Sequence, residues 1–337
     1  MTFAPSRLTV RSFLLIMVLM LTRTRVLPLA AAALVGLAAC SAPGGTAPAE
    51  TPRVVAAFYP LEWVATEVMG SHGSVGTLTD PGMEAHDLEL SAQQVASLAT
   101  ADLVIHLSDF QPAVDEAVAQ SSATAVIDAA DVVDLLPVAE EHSHEEHADE
   151  DHSDDEGADE HDHGDLDPHF WQDPTRMSVL VEAVRDELVE LDPDNADDYR
   201  ANAETAIGEL AELDEEYSSA LAECVRREFI TTHAAFGYLA ARYELTEIGV
   251  SGVNPDDEPS PARIAEIHDE ATAHGITTIF FETLTSDAVA ASIAGDLDLE
   301  TAILDPLEGV TEQSPGTDYP SIMRANLSAL AQANECS

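Results

Sequence analysis

Short apolar runs alternate with longer stretches whose apolar positions recur at helical spacing. The runs at 53–58, 75–79, 103–107 and 124–127 have strand length, and helical spacing fills 61–69, 92–99 and 113–119 between them. Ser91 stands where an N-cap belongs, its hydroxyl placed to accept from the first free amides of the helix at 92–99. Strands that alternate with helices predict βαβ units and a parallel sheet. The alternation stops after 127. A helix at 175–191 carries Val179, Leu180, Ala183, Val184, Leu188 and Val189 on one face, Asp192-Pro193 punctuates it, and 195–223 reads as a second helical stretch. Strands then return at 228–232, 245–250, 277–281 and 300–304. Helices run to Arg242 and over 261–274, 286–294 and 319–333. The expected fold is therefore α/β, with two βα lobes, each on a parallel sheet, separated by a helical middle. In such folds a ligand sits in the cleft at the carboxyl ends of the strands.

The break between the lobes contains the least ordinary composition. Residues 140–167 hold fifteen Asp/Glu and six of the thirteen histidines, namely His142, His144, His147, His152, His161 and His163. So polar a tract cannot bury enough apolar surface to offset its ordering entropy, which predicts a solvated loop. Imidazole nitrogens and carboxylate oxygens at this density suit a borderline divalent metal, zinc first. An acidic linker with incidental histidines is the plainer alternative. The remaining 49 acidic residues (64 less 15) still outnumber the 13 basic ones, and net charge is −51. Such a surface repels nucleic acid and attracts cations. All basic residues are arginine, which excludes a Walker-type phosphate loop and Schiff-base chemistry.

Arg23 and Arg25 precede an apolar run at 26–39 that ends Leu37-Ala38-Ala39-Cys40, the layout of a secretory signal. The run is too short to span a bilayer. Its ending resembles a bacterial lipoprotein box, which implies lipidation of Cys40. The Ala-, Pro-, Gly- and Thr-rich stretch after it reads as a tether. In an exported protein, Cys224 and Cys336 are expected to pair.

Seven histidines lie outside the tract. His86, His169 and His233 occupy corners between strand-like and helix-like segments, where βα folds place ligands. His106 sits inside an apolar strand and reads as a core residue, His268 and His274 fall on a helix, and His72 is in a turn. The motifs Asp167-Pro168-His169-Phe170-Trp171-Gln172-Asp173-Pro174, Thr231-Thr232-His233-Ala234-Ala235-Phe236-Gly237-Tyr238, Glu258-Pro259-Ser260, Phe280-Phe281-Glu282 and Leu304-Asp305-Pro306-Leu307-Glu308-Gly309 together resemble the metal-binding lipoproteins of ABC-type zinc and manganese importers. The His-rich tract is similar to that of the zinc-type branch.

The resemblance implies a metal in the inter-lobe cleft, held by His86, His169 and His233 with an acidic fourth ligand. Glu308 is favoured for that place and Asp305 is the reserve; Glu282 has a weaker claim. Where the family usually has Pro or an acid directly before the first histidine, this chain has Ala85. It also implies a signal peptide at 1–39, a tether at 40–52 and a first lobe at 53–174 containing a disordered loop at 140–166. A rigid connecting helix at 175–192 and a second lobe at 193–337 would follow. Implied as well are a monomer anchored by lipid outside the bacterial cell membrane, a membrane permease as partner, and no catalysis. Three imidazoles and one carboxylate suit Zn²⁺, at about 2.0–2.2 Å per ligand, whereas Mn²⁺ prefers more oxygen. The chain has no HExxH or GxSxG motif, which disfavours a zinc-dependent hydrolase. Apolar Phe170, Trp171 and Phe236 are placed to keep water from the ligands.

Overall fold

The computed structural model describes residues 51–138, 166–284 and 288–337. The leader, Cys40 and the six tract histidines lie outside the described residues. Strands β1 (Arg53–Ala56), β2 (Ser74–Thr77), β3 (Leu103–His106) and β4 (Ala125–Asp128) form one parallel sheet in the order β2-β1-β3-β4. Strands β5 (Glu228–Thr231), β6 (Thr246–Gly249), β7 (Thr278–Phe281) and β8 (Glu300–Ile303) form a second in the order β6-β5-β7-β8, again wholly parallel. Both lobes put their first strand inside and their second at the edge, so each chain direction reverses beside β1 or β5. That reversal opens a crevice at the carboxyl ends of the strands.

The helices of the first lobe are α1 (Tyr59–Met69), α2 (Ala92–Leu98), α3 (Pro112–Ala119) and the short α4 (Ala129–Val132). Ser91 caps α2 in a reciprocal capping box with Gln94. The middle consists of α5 (Pro174–Leu191) and α6 (Ala196–Ala220), divided by a 3-10 turn at Pro193–Asn195. Helix α5 starts with Asp173 as N-cap and Pro174 in the first turn, the arrangement in which proline's missing amide costs nothing. The second lobe adds α7 (Gly237–Arg242), α8 (Pro261–His274), α9 (Ala288–Leu297) and α10 (Tyr319–Ala333).

Helix α6 is 25 residues long and serves both lobes. Near its start Asn202 Nδ2 donates to Val68 O of α1 at 3.1 Å, and near its end Tyr217 hydroxyl donates to Met323 O of α10 at 2.6 Å. The lobes also touch directly. Trp63 of α1 stacks on Tyr319 of α10 at 4.8 Å between ring centres, and Tyr238 hydroxyl of α7 accepts from Leu136 N and donates to Asp167 O, both at 2.7 Å. One apolar core therefore runs through both lobes, from Val54 to Leu330, with a smaller one under α8 and α9. Trp171, Tyr319 and Phe236 are buried within the larger. Each such side chain contributes roughly 3 kcal/mol on leaving water. Cys224 and Cys336 form a disulfide that ties the end of α10 to the segment before β5.

Candidate metal centre

Four side chains from four different corners converge at the crevice. His86 stands in the loop after β2. Gln111, itself buried, donates to Ala85 O at 2.8 Å, Glu84 accepts from the amides of His86 and Asp87 at 3.0 and 3.2 Å, and Phe110 meets the imidazole edge-on at 4.6 Å. His169 follows the corner Asp167-Pro168 and precedes a 3-10 turn at Phe170–Gln172. Asp167 Oδ1 accepts from His169 N at 2.9 Å and lies 2.7 Å from its Nδ1. His233 leaves the end of β5. Its Nδ1 lies 2.5 Å from Glu282 Oε1, which also accepts from Thr232 Oγ1 at 2.9 Å. A carboxylate on each Nδ1 makes that nitrogen the donor, so both rings turn Nε2 inward, where it can bind a metal once any proton on it has left.

Glu308 comes from the turn after β8. Pro306 O in that turn accepts from Trp171 Nε1 at 2.7 Å and from Gln172 Nε2 at 2.6 Å, so the corner that carries His169 grips the corner that carries Glu308. Asp305 Oδ1 accepts from Leu307 N at 2.9 Å and braces Leu307, whose φ of 67° lies in the left-handed region. Asn326 of α10 bonds both the amide and the carbonyl of Asp305.

Glu308 Oε1 lies 3.4 Å from His86 Nε2, 3.4 Å from His169 Nε2 and 3.5 Å from His233 Nε2. One donor atom from each of the four residues falls within 4.8 Å of all the others. His169, His233 and Glu308 are at most 1% exposed, and among the described residues none of the four inward atoms has a hydrogen-bond partner. A buried polar atom left unpaired costs about 1–3 kcal/mol, so four aimed at one point describe a place for a cation. Three nitrogens and one oxygen in that arrangement fit a tetrahedral borderline metal.

Electrostatics agree with the geometry. Burial alone would raise the Glu308 carboxyl, but the imidazoles of His169, His233 and His86 hold it well below the usual carboxylate range. Burial likewise opposes charge on His169, yet Asp167 and Glu308 bring it up to about 9. His233 is raised well above the ordinary value in the same way by Glu282 and Glu308. Among the described residues His86 has no such carboxylate partner on its other nitrogen, and burial lowers it.

Asp305 lies outside the cluster, its carboxylate turned to Leu307 N and, at 3.3 Å, to Thr283 Oγ1. Phe170, Trp171 and Phe236 are buried beside the site as the sequence suggests. The orienting acids Asp167 and Glu282 were not singled out for this role by sequence reasoning, although both stand inside the quoted motifs. Phe110, which packs on His86, carried no sequence signal at all. Asp167→Asn and Glu282→Gln are each expected to weaken divalent-metal binding about 10- to 100-fold, the usual cost of losing an imidazole's outer partner. Competition titration against a chromophoric chelator measures this, and affinities within a factor of two of the parent would refute the orienting role.

The family described as zinc-uptake complex component A, periplasmic, matches residues 54–333. The chain is 36% identical over 284 residues to zinc-binding protein AdcA of Streptococcus pyogenes serotype M3, covering 82% of this chain and 55% of that protein. It thus spans about half the length of the AdcA relatives. It is 35% identical over 284 residues to the high-affinity zinc uptake system protein ZnuA of Bacillus subtilis, covering 82% of this chain and 86% of that one. Among solved structures, the Zn(II)-bound ZnuA-like domain of Streptococcus pneumoniae AdcA matches with a TM-score of 0.68 at 31% identity, over 85% of this chain and 99% of that domain.

Proposed function

The chain belongs to the zinc-uptake complex component A family, and on that premise we propose that it captures Zn²⁺ outside the cytoplasm and delivers it to the membrane permease of an ABC-type importer. The metal is cargo. His86, His169 and His233 supply three nitrogens through Nε2, and Glu308 supplies one oxygen. The observation that carries the reading is the convergence of four buried, unpartnered donor atoms on one point. No covalent step is needed, and Glu308 takes the fourth position that a hydrolytic zinc would leave to water. One carboxylate against three imidazoles favours zinc over manganese, the runner-up cargo. The same reading has Cys40 carry a lipid that anchors a monomer to the outer face of the membrane, with the His-rich tract as an accessory to capture. The names of the relatives support zinc, being those of zinc-binding and zinc-uptake proteins.

Metal entry must displace protons. Asp167 and Glu308 raise His169 to about 9, and Glu282 and Glu308 raise His233 well above its ordinary value, both against burial. Zinc binding near neutral pH is expected to release protons, and affinity should keep climbing with pH above the ordinary histidine value rather than level off there. Calorimetry in buffers of different ionisation enthalpy counts the protons, and a competition titration with both metals ranks them. Retention of manganese in preference to zinc would reject the cargo assignment.

A further inference from the structure

We propose, resting on the zinc-site reading, that Glu247 is a positioning residue for His233, holding from the neighbouring strand the loop on which that imidazole stands. Glu247 lies on β6, in register with Phe229 of β5. It is only partly buried as a residue, but its carboxylate is turned inward to both ends of the His233 loop. Oε1 accepts from Thr231 Oγ1 at 2.8 Å, at the last residue of β5. The amide of Phe236, at the entry to α7, donates to Oε1 at 3.2 Å and to Oε2 at 3.0 Å. One carboxylate thus fixes the loop just before and just after His233, while Glu282 fixes the ring itself.

The same carboxylate faces the other lobe. A side chain placed on Gly237 would begin 2.8 Å from Asp167 Oδ2 and 4.0 Å from Glu247 Oε2, so the acids that brace His169 and the His233 loop meet at one glycine. The charged groups acting on Glu247 are Asp167, His233 and His169. Burial, and then Asp167, push its carboxyl up to about 7 against the Thr231 hydroxyl bond and the pull of the two imidazoles. Near neutral pH its charge is therefore adjustable. An ionised Glu247 holds the Phe236 amide more strongly.

The position could instead be a plain staple between β5 and β6, and pH separates the two. Glu247→Gln keeps an acceptor for Thr231 and Phe236 but cannot ionise. Its zinc Kd is expected within about twofold of the parent at pH 6 and roughly tenfold weaker at pH 8, the lower end of the cost of losing an outer partner. A staple gives a ratio independent of pH, and that result overturns the proposal. Thr231→Val removes only the hydroxyl donated to Glu247 and serves if the amide variant folds poorly. It should speed zinc loss into a chelator roughly fivefold, the worth of one hydrogen bond, and an unchanged rate counts against the proposal. A parent chain that takes no zinc defeats the site reading and this inference together, whereas a zinc-binding parent with a pH-independent ratio defeats this inference alone.

Discussion

His169→Ala is expected to weaken zinc binding at least about a hundredfold while the chain stays folded. Zinc held by four protein ligands in a small domain is bound by about 10–16 kcal/mol, so one ligand accounts for roughly 3 kcal/mol, or about two decades of affinity. His169 should exceed that share. Its imidazole is fully buried between Asp167 and Glu308, with its ring 5.2 Å from that of Trp171, and truncation empties the middle of the site. The fold should survive because the corner is held by its backbone and by Trp171 and Gln172 on Pro306 rather than by the imidazole. Chelator competition reads the affinity and a thermal melt reads the fold. A folded variant with a Kd within tenfold of the parent would remove His169 from the ligand set.

Much of this centre was legible in the sequence because its parts are local. His86 and His233 stand in loops that lead from a strand to a helix, which show as an apolar run, a polar break and the next helical period, while His169 stands just ahead of a helix with no strand directly before it. Ser91 announced α2. What could not be read was contact between distant strands. Glu282 reaches His233 because β5 pairs with β7, setting Thr231 beside Phe280, and no local pattern encodes that register. Glu247 in the stretch 245–250 looks like an ordinary solvent-facing strand residue, and only the β5–β6 pairing shows where its carboxylate goes. The choice between Asp305 and Glu308 was open for a related reason. Both are acids on one short turn, and the left-handed backbone at Leu307 decides which faces the crevice and which braces the turn. The acidic His-rich tract is the densest metal-ligating composition in the chain, yet a tight site also needs the fixed geometry that scaffold corners give to His86, His169 and His233.

Glu308→Gln should weaken zinc binding about a hundredfold or more, whereas Asp305→Asn should change it less than about tenfold. The amide oxygen that Glu308→Gln introduces remains a possible ligand but carries no charge, and Glu308 is the anion against which all three Nε2 atoms rest. After Asp305→Asn the side-chain oxygen can still accept from Leu307 N, so the turn survives. The Glu308 change also alters the empty protein, in a pH-dependent way. His169 is raised to about 9 partly by Glu308, so their pairing adds stability that is fully present below the unfolded histidine value near 6.5 and is lost as pH rises through 9. Glu308 itself is depressed, so its contribution is present above the unfolded carboxylate value near 4.3 and is lost as pH falls through its native value. The two windows overlap between about 4.3 and 6.5, where Glu308→Gln should cost the metal-free protein most, about 3 kcal/mol for breaking a buried pair. By pH 9 the His169 imidazole can shed its proton and the penalty should shrink. Denaturant unfolding of the metal-free variant at pH 6 and pH 9 measures the difference. Equal penalties at both values, or a larger loss of zinc affinity in Asp305→Asn than in Glu308→Gln, would transfer the anionic role away from Glu308.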